Sequence, residues 1–310
     1  MIDIYKKTLK SEKLEQIKKV EKGSWVLVID PSDEEVDILS DELGLERGHI
    51  LDALDWHETP RLEIEGENDD LYIFLRFPFI DEELDEIRTM PVLFILTDDF
   101  VATVSRENQK LFDDFLTEKI SFYTTQKSKF LSYMFLRISL LYRGYLNTLS
   151  KKIRGREDIL GKISSQDIIN FVRWENILND FLTALVPASN MYRTLLSKHY
   201  LQYFKEDQEI VEDIMLSNDE AIDICKTNIK TIVNLREAYS TLMTNNLNRA
   251  IKFLTAITII LTLPTMIASI YGMNITLPFQ EHPLAFAGVM GATVLVVVIA
   301  FVLFKTRDWL

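Results

Sequence analysis

Cysteine is almost absent from this 310-residue chain, which contains only Cys225. A single cysteine excludes an intrachain disulfide and any site built on a Cys-x-x-Cys pair, so nothing in the sequence requires an oxidising compartment. The N-terminal segment lacks the apolar core of a signal peptide and has too many acidic residues for a transit peptide. Basic residues are also in deficit, with 34 Lys and Arg against 47 Asp and Glu and a net charge of −13. This balance argues against binding to nucleic-acid phosphates.

Charge is nearly missing from the C-terminal part of the chain. Between Phe253 and Phe304 the only charged residue is Glu281, whereas residues 1–252 alone carry a net charge of −13. The charge-free runs 253–271 and 284–304 have 19 and 21 residues. As helices, each would reach about 30 Å, the thickness of the hydrocarbon layer of a bilayer. We therefore predict two transmembrane helices. The alternative, two buried core helices, is less consistent with the lack of a polar face.

The flanking charges predict the direction of both spans. Arg249 and Lys252 precede the first span, Lys305 and Arg307 follow the second, and the loop at 272–283 has no Lys or Arg. Because cytosolic flanks carry the excess of basic residues, we expect both termini in the cytosol of a cell whose inner membrane holds the protein. The tail at 305–310 is then cytosolic and the loop external.

The first 110 residues have the pattern of an acidic α/β domain. Short apolar runs predict strands at SWVLVID, RLEIE, LYIFLRFPFI, VLFILT and FVATVS, the last two joined at Asp98-Asp99. Ser32 with Glu35 forms a capping-box pattern for a short helix that should stop at Gly44. The predicted fold class is thus an α+β membrane protein with an N-terminal α/β domain.

A helical periodicity begins near residue 111 and continues to the membrane. Residues 111–217 are predicted as a helical region. Neither Gly nor Pro occurs between Pro187 and Pro264, and Ser217 with Glu220 makes a second capping-box pattern. We therefore predict a stalk helix over 218–271 that runs without a break into the first span.

Hydroxyl residues follow one line along the first span. They are separated by three, four, three and four positions: Thr255, Thr258, Thr262, Thr265 and Ser269. The same spacing leads back to Ile251, Asn248 and Glu237. A 3.5-residue repeat predicts parallel copies of this helix around a common axis, with the polar line inside a water-filled pore. A dry polar interface between helices is the alternative.

Two further features lie at the ends of this line. Ile251 and Leu254 place aliphatic side chains at the cytosolic mouth of the proposed pore. A ring of these side chains could close the pore by excluding water, and the alternative is that they only pack against neighbouring helices. At the other end, Gly272 is expected to leave the helix with positive φ, and Asn274 to present amide oxygens to an arriving ion.

The sequence Tyr271-Gly272-Met273-Asn274, placed after a long Gly-free segment and an acidic N-terminal domain, resembles the CorA family of magnesium channels. The resemblance covers the whole chain. It includes the run LPTMIASIYGMN at 263–274, the stretch DWHETPR at 55–61, and the C-terminal tail that ends in Trp-Leu. The external loop departs from the family's pattern. Glu281 is its one acidic residue, and we expect it to attract ions to the pore.

The resemblance implies a homopentameric funnel with an α/β/α cytosolic domain and a pore formed by the first span. It also implies a filter at Gly272, Met273 and Asn274 that binds hydrated Mg²⁺. Asp213 matches a family position that binds regulatory metal between subunits, and Glu237 matches an acidic position on the pore axis. The partners of Asp213 are expected in the run from Asp81 to Glu86, which includes Asp85.

The expected function is uptake of hydrated Mg²⁺, and of Co²⁺ and Ni²⁺ as further candidates, with closure by cytosolic Mg²⁺. Residues 30–86 hold 21 acidic residues against three Arg, and carboxylates are preferred Mg²⁺ ligands. Two alternatives remain open: a transporter of zinc or other transition metals, and a membrane-tethered sensor or scaffold without a pore. An enzyme is not expected, because the four histidines are scattered and no Gly-rich phosphate loop occurs.

Overall fold

The computed structural model describes residues 1–11, 13–66, 69–82, 85–107, 110–157, 164–197, 205–275 and 282–310. The chain forms two compact units, Met1–Asn234 and Leu235–Leu310. Its elements are β1 (Ile2–Lys6), β2 (Glu15–Ile17), β3 (Ser24–Ile29), α1 (Asp33–Leu43), α2 (Arg47–Asp52), β4 (Arg61–Glu65), β5 (Asp70–Asp81), β6 (Glu86–Leu96), β7 (Phe100–Ser105), α3 (Lys110–Leu116), α4 (Lys127–Glu157), α5 (Ser165–Ser197), α6 (Lys205–Tyr271) and α7 (Ala285–Thr306).

Seven strands form one mixed sheet in the order β2-β1-β3-β7-β6-β5-β4. Among the described strands, β3 and β7 are the one parallel pair, and β5 and β6 form a long antiparallel ladder from Leu71↔Leu96 to Asp81↔Glu86. The five predicted strands are confirmed as β3 to β7. Strands β1 and β2 were not predicted from the sequence; they have five and three residues and pair with each other.

Helices cover both faces of the sheet because the central strands are apolar on both sides. On one face, Val26 and Val28 of β3 share a buried cluster with Val36 and Leu39 of α1. On the other face, the Trp25 ring contacts aromatic rings of the segment that includes α3 and α4, namely Phe112, Phe122 and Phe130. The N-terminal α/β domain is therefore confirmed. Its unit extends past the predicted limit at residue 110, because these helices bury the second face.

The predicted limits of α1 are confirmed. The Ser32 hydroxyl accepts a hydrogen bond from the backbone N–H of Glu35, and the Glu35 carboxylate accepts one from the backbone N–H of Ser32. Gly44 ends the helix with φ of 69°, a conformation that favours glycine.

The predicted start of the stalk helix at residue 218 is wrong, because α6 already includes Lys205 and continues for 67 residues to Tyr271. Ser217 lies inside the helix. The buried positions Val211, Ile214 and Asn218 repeat every three or four residues through the predicted start. Apolar packing therefore continues the helix where the capping-box pattern suggested a beginning.

The second unit contains the two apolar runs. Within the described residues, two helices are long and apolar enough to cross a membrane: the one that ends at Tyr271, and α7. Pro264 lies inside the first of them without ending it. The second begins at Ala285 and ends at Thr306, close to the predicted limits of 284 and 304.

Candidate functional site

The predicted polar line lies on a single face of α6. Ala256 is fully buried, whereas the hydroxyl residues that follow are largely exposed within the chain. At about 100° per residue, the exposed hydroxyls lie roughly 180–240° around the helix from Ala256. These residues are Thr258, Thr262, Thr265 and Ser269. The line therefore faces away from the side of the helix that the chain itself buries.

Four threonines of this line donate their hydroxyl hydrogen to the carbonyl four residues earlier. The distances from Oγ1 to the carbonyl oxygen are 2.8 Å for Thr255, 2.8 Å for Thr258, 2.6 Å for Thr262 and 3.0 Å for Thr265. A hydroxyl has one donor and two acceptor lone pairs. With the donor committed to the backbone, each side chain presents acceptors outward.

The polar face continues below the apolar run. Thr244 and Thr241 make the same bond to the carbonyls of Ser240 and Glu237, at 2.9 and 3.0 Å. The side chains of Glu237 and Asn248 are exposed. Ile251 and Leu254, the two predicted gate residues, are 53% and 66% exposed within the chain.

The Gly-Met-Asn segment follows the last turn of α6. The Gly272 N–H donates to the Ala268 carbonyl at 2.9 Å, and that of Met273 donates to the Ile270 carbonyl at 3.3 Å. Met273 and Asn274 are exposed.

The expectation that Gly272 has positive φ is wrong, because its φ lies outside that region. A Cβ at this position would instead lie 3.2 Å from the Ala268 carbonyl oxygen, so the glycine permits a tight last turn. Glu281, the predicted external charge, lies outside the described residues.

A cavity of about 950 Å³ lies between the residues that precede the first apolar run and the C-terminal tail. It is lined by Arg249 and Lys252 of α6 and by Asp308 and Trp309 beyond α7. The indole ring of Trp309 stacks on Phe304 with ring centroids 5.5 Å apart, which fixes the tail against the helix end.

Two of the predicted regulatory carboxylates, Asp81 and Glu86, lie opposite each other at the end of the β5–β6 ladder, whereas Asp213 lies on α6. Asp81 pairs with Arg88 at 3.1 Å, and Glu86 with Arg173 at 3.3 Å. Asp85 and Asp213 are exposed. In the described part of the chain these four carboxylates form no group of three close ligand atoms.

A different group of metal-binding side chains lies on the acidic domain. The ligand atoms of His49, Glu63 and Glu65 all lie within 4.8 Å of one another. This group could not be predicted from the sequence, because the three residues belong to α2 and β4, and only the fold brings them together.

Comparison with known proteins places the chain in a family. Residues 20–306 match the model of the CorA-like Mg²⁺ transporter protein family. The cobalt/magnesium transport protein CorA of Methanocaldococcus jannaschii is 27% identical over 295 residues, which are 92% of this chain and 91% of that protein. The CorA protein of Thermotoga maritima, with the same description, is 25% identical over 278 residues, which are 84% of this chain and 76% of that protein.

The fold agrees with this match. The complete structure of the CorA magnesium transporter from Methanocaldococcus jannaschii superimposes with a TM-score of 0.85 at 22% identity, covering 100% of this chain and 99% of that one. The full-length CmaX protein superimposes with a TM-score of 0.75 at 16% identity, covering 96% of this chain and 97% of that one. Since the family model spans nearly the whole sequence, both apolar helices included, the chain belongs to the CorA-like Mg²⁺ transporter family.

Proposed function

We propose that the protein is a channel for hydrated Mg²⁺ whose pore is lined by the polar face of α6 from several copies of the chain. The observation that carries this proposal is the line of hydroxyl acceptors opposite the buried side of the helix. The water molecules around a cation direct their hydrogens outward, so a wall of acceptors suits the hydrated ion. The curated relatives are named cobalt/magnesium transport proteins, which makes Co²⁺ a second candidate ion.

The nature of Mg²⁺ favours this kind of pore. Mg²⁺ loses its water shell reluctantly, so a passage that hydrogen-bonds the shell avoids the cost of removing it. No carboxylate occurs in the apolar run of α6 to hold the ion tightly. Two helices per chain cannot enclose a lumen, so the proposal requires a homo-oligomer, a pentamer by resemblance, with α6 innermost.

We further propose that ions enter at Asn274 and move toward the cytosol, where both termini lie. Arg249 and Lys252, which precede the first span, line one cavity with Asp308 and Trp309 of the tail, which supports one side of the membrane for both ends of the hairpin. Lys305 and Arg307 supply basic residues at the end of the second span. A divalent cation that crosses about 100 mV gains roughly 4.6 kcal/mol, enough for a gradient above a thousandfold. An open channel would overfill the cell, so closure by internal Mg²⁺ is required. Carboxylates at Asp213 and in the run from Asp81 to Glu86 are the candidate sensors.

Asn274 provides the direct test of the filter. We expect Asn274→Ala to abolish Mg²⁺ uptake by a magnesium-dependent strain, because the amide oxygens at the mouth are lost while no buried contact changes. Uptake of Mg²⁺, Co²⁺ and Zn²⁺ should be measured side by side.

Asn246→Ala is a matched control for this test, since Asn246 is exposed on α6 and lies off the polar line. It should transport normally. Full Mg²⁺ uptake by an Asn274→Ala protein that reaches the membrane would remove the filter from the proposal. Zn²⁺ uptake well above Mg²⁺ uptake would favour the transition-metal alternative.

A further inference from the structure

His49 is a buried side chain that packs against two aromatic rings and lies close to several carboxylates. It lies on α2 with 8% of its surface exposed. Its ring packs against Tyr72 and Phe74 of β5, with ring centroids 4.7 and 5.8 Å away. The Tyr72 hydroxyl is itself held by the backbone N–H of Glu46 at 2.9 Å. The imidazole therefore has little freedom to turn toward another partner.

Among the described residues, the buried Nε2 atom of His49 has no hydrogen-bond partner. The Glu63 carboxylate comes within 3.3 Å and that of Glu65 within 4.0 Å, yet neither completes a bond to this nitrogen. Buried polar atoms nearly always have a hydrogen-bond partner, so a buried nitrogen that lacks one while carboxylates lie close to it requires a physical reason. A cation held between the nitrogen and the carboxylates would supply one.

The edge strand β4 positions both carboxylates. Its residues alternate between faces, so Arg61, Glu63 and Glu65 lie on the same side. Arg61 hydrogen-bonds one oxygen of Glu63, Oε1, and also donates to Asp52 at 2.7 Å. The guanidinium lies over the Phe74 ring, 3.9 Å from its centroid. Arg61 thus orients Glu63 so that its free oxygen, Oε2, faces His49.

The distances suit a small divalent ion. Tetrahedral Zn²⁺, with bonds of about 2.0–2.1 Å, separates its ligand atoms by roughly 3.3 Å. The gap from His49 Nε2 to Glu63 Oε2 already has this length, at 3.3 Å. Glu65 lies 4.0 Å away with its side chain 52% exposed, so it is free to close the remaining distance.

We propose that His49, Glu63 and Glu65 bind a divalent transition-metal ion of the Zn²⁺ or Co²⁺ class. Imidazole nitrogen suits such ions, whereas Mg²⁺ prefers oxygen ligands alone. Two carboxylates balance the charge of the ion, and Arg61 orients one of them. The site lies within one chain, and it depends neither on the polar line of α6 nor on Asp213. The acidic domain then carries a binding site that distinguishes transition metals from Mg²⁺.

The test is equilibrium dialysis of Zn²⁺ against the full-length protein in detergent, with millimolar Mg²⁺ present to occupy the sites that prefer it. We expect His49→Ala to bind one Zn²⁺ fewer per chain than the unaltered protein. Glu65→Gln should weaken the same site by at least about tenfold, as loss of a ligand or of its support commonly does. Because Glu65 is exposed, this variant tests the site without disturbing the core.

His57→Ala is the matched control, since His57 is an exposed histidine of the same domain. It should bind Zn²⁺ as the unaltered protein does. Equal Zn²⁺ binding by the unaltered, His49→Ala and Glu65→Gln proteins would overturn the proposal and leave a contact between His49 and Glu63 that holds no metal. Displacement of the bound Zn²⁺ by millimolar Mg²⁺ would also contradict it.

Discussion

At the residue scale, Asp167 and Ser164 hold the first turn of α5. The Asp167 carboxylate accepts hydrogen bonds from the backbone N–H and the hydroxyl of Ser164, both at 2.8 Å, and the Ser164 hydroxyl accepts from the Asp167 N–H at 3.3 Å. These bonds, aided by Arg156, lower the pKa of Asp167 below its usual value. The capping-box pattern at Ser217 lies inside α6 and begins no helix. The cap at the start of α5 was not predicted, because its third helical position is Asp167 and the usual capping-box pattern has Glu or Gln there.

The lowered pKa of Asp167 predicts a pH dependence. A carboxyl whose pKa is lower in the folded state stabilises the fold above its unfolded pKa, about 3.9, and loses that contribution as pH falls through the folded pKa. We expect Asp167→Asn to destabilise the start of α5 by about 1 kcal/mol at neutral pH. The difference should shrink below about pH 4.

Hydrogen exchange of the backbone amides in the first turn of α5 measures this effect locally. Asp41→Asn, at an exposed acidic position of α1, should leave that exchange unchanged. Equal exchange in the unaltered and Asp167→Asn proteins at neutral pH would contradict the assigned role of the carboxylate.

At the element scale, α6 combines packing and a polar line in one helix. Its buried positions in the first unit are spaced by three or four residues, and the hydroxyl residues of its apolar run follow the same spacing. The hydroxyl line faces away from Ala256. One side of the helix therefore packs within the chain, and the other side is exposed, as the proposed oligomer requires.

Cysteine substitution along this helix tests the proposed pore. We expect cysteines at Thr258, Thr262 and Thr265 to react with a water-soluble thiol reagent and to block ion flux. Cysteines at Ile260 and Ile267, which are only partly exposed on the other side of the helix, should not. If both sets react alike, the hydroxyl line is a packing surface.

The single native cysteine does not interfere with this experiment. Cys225 is fully buried, and burial raises the pKa of its thiol to about 12. Since the thiolate is the reactive form, the unaltered protein should remain unlabelled at neutral pH. The unaltered protein can therefore carry the added cysteines without removal of Cys225.

At the scale of the whole molecule, residues 30–86 carry a large excess of negative charge, with 21 Asp and Glu against three Arg. The three arginines among residues 30–86 are already engaged: Arg47 with Asp37, Arg61 with three carboxylates, and Arg76 with backbone carbonyls and Thr89. The excess acids repel one another unless cations screen them. Copies of the chain brought together in an oligomer would feel this repulsion more strongly.

Proposed closure by Mg²⁺ at Asp213 leads to a prediction for proteolysis. A metal that binds only the closed form stabilises it by RT ln(1 + [L]/Kd), about 1 kcal/mol for each site at a few times Kd. Mg²⁺ should therefore slow protease cleavage of the full-length protein. Asp213→Lys should be protected without added Mg²⁺, because its ammonium replaces the ion, and Asp213→Ala should lose part of the protection.

Glu212→Lys is the charge-matched control, since Glu212 is an exposed neighbour on α6. It should keep the Mg²⁺ dependence of the unaltered protein. Cleavage that proceeds at the same rate with and without Mg²⁺ in the unaltered protein would exclude this mode of closure.

The sequence by itself determined the features that depend on short stretches of chain. The two apolar helices follow from charge-free runs of sufficient length, because a bilayer span needs only local composition. Strands β3 to β7 and the caps at Ser32 and Gly44 follow from local periodicity and from backbone preferences of single residues. The hydroxyl line on α6 could likewise be read from spacing alone, since one helix carries it.

Tertiary structure decided what depends on residues far apart in the chain. The three residues of β2 become a strand only by pairing with β1, and α6 extends back past residue 218 because its apolar positions are buried. The meeting of His49 with Glu63 and Glu65 needs α2 to lie over the edge strand β4. No local sequence pattern predicts this contact, because it forms only when α2 and β4 are both buried against each other in the fold.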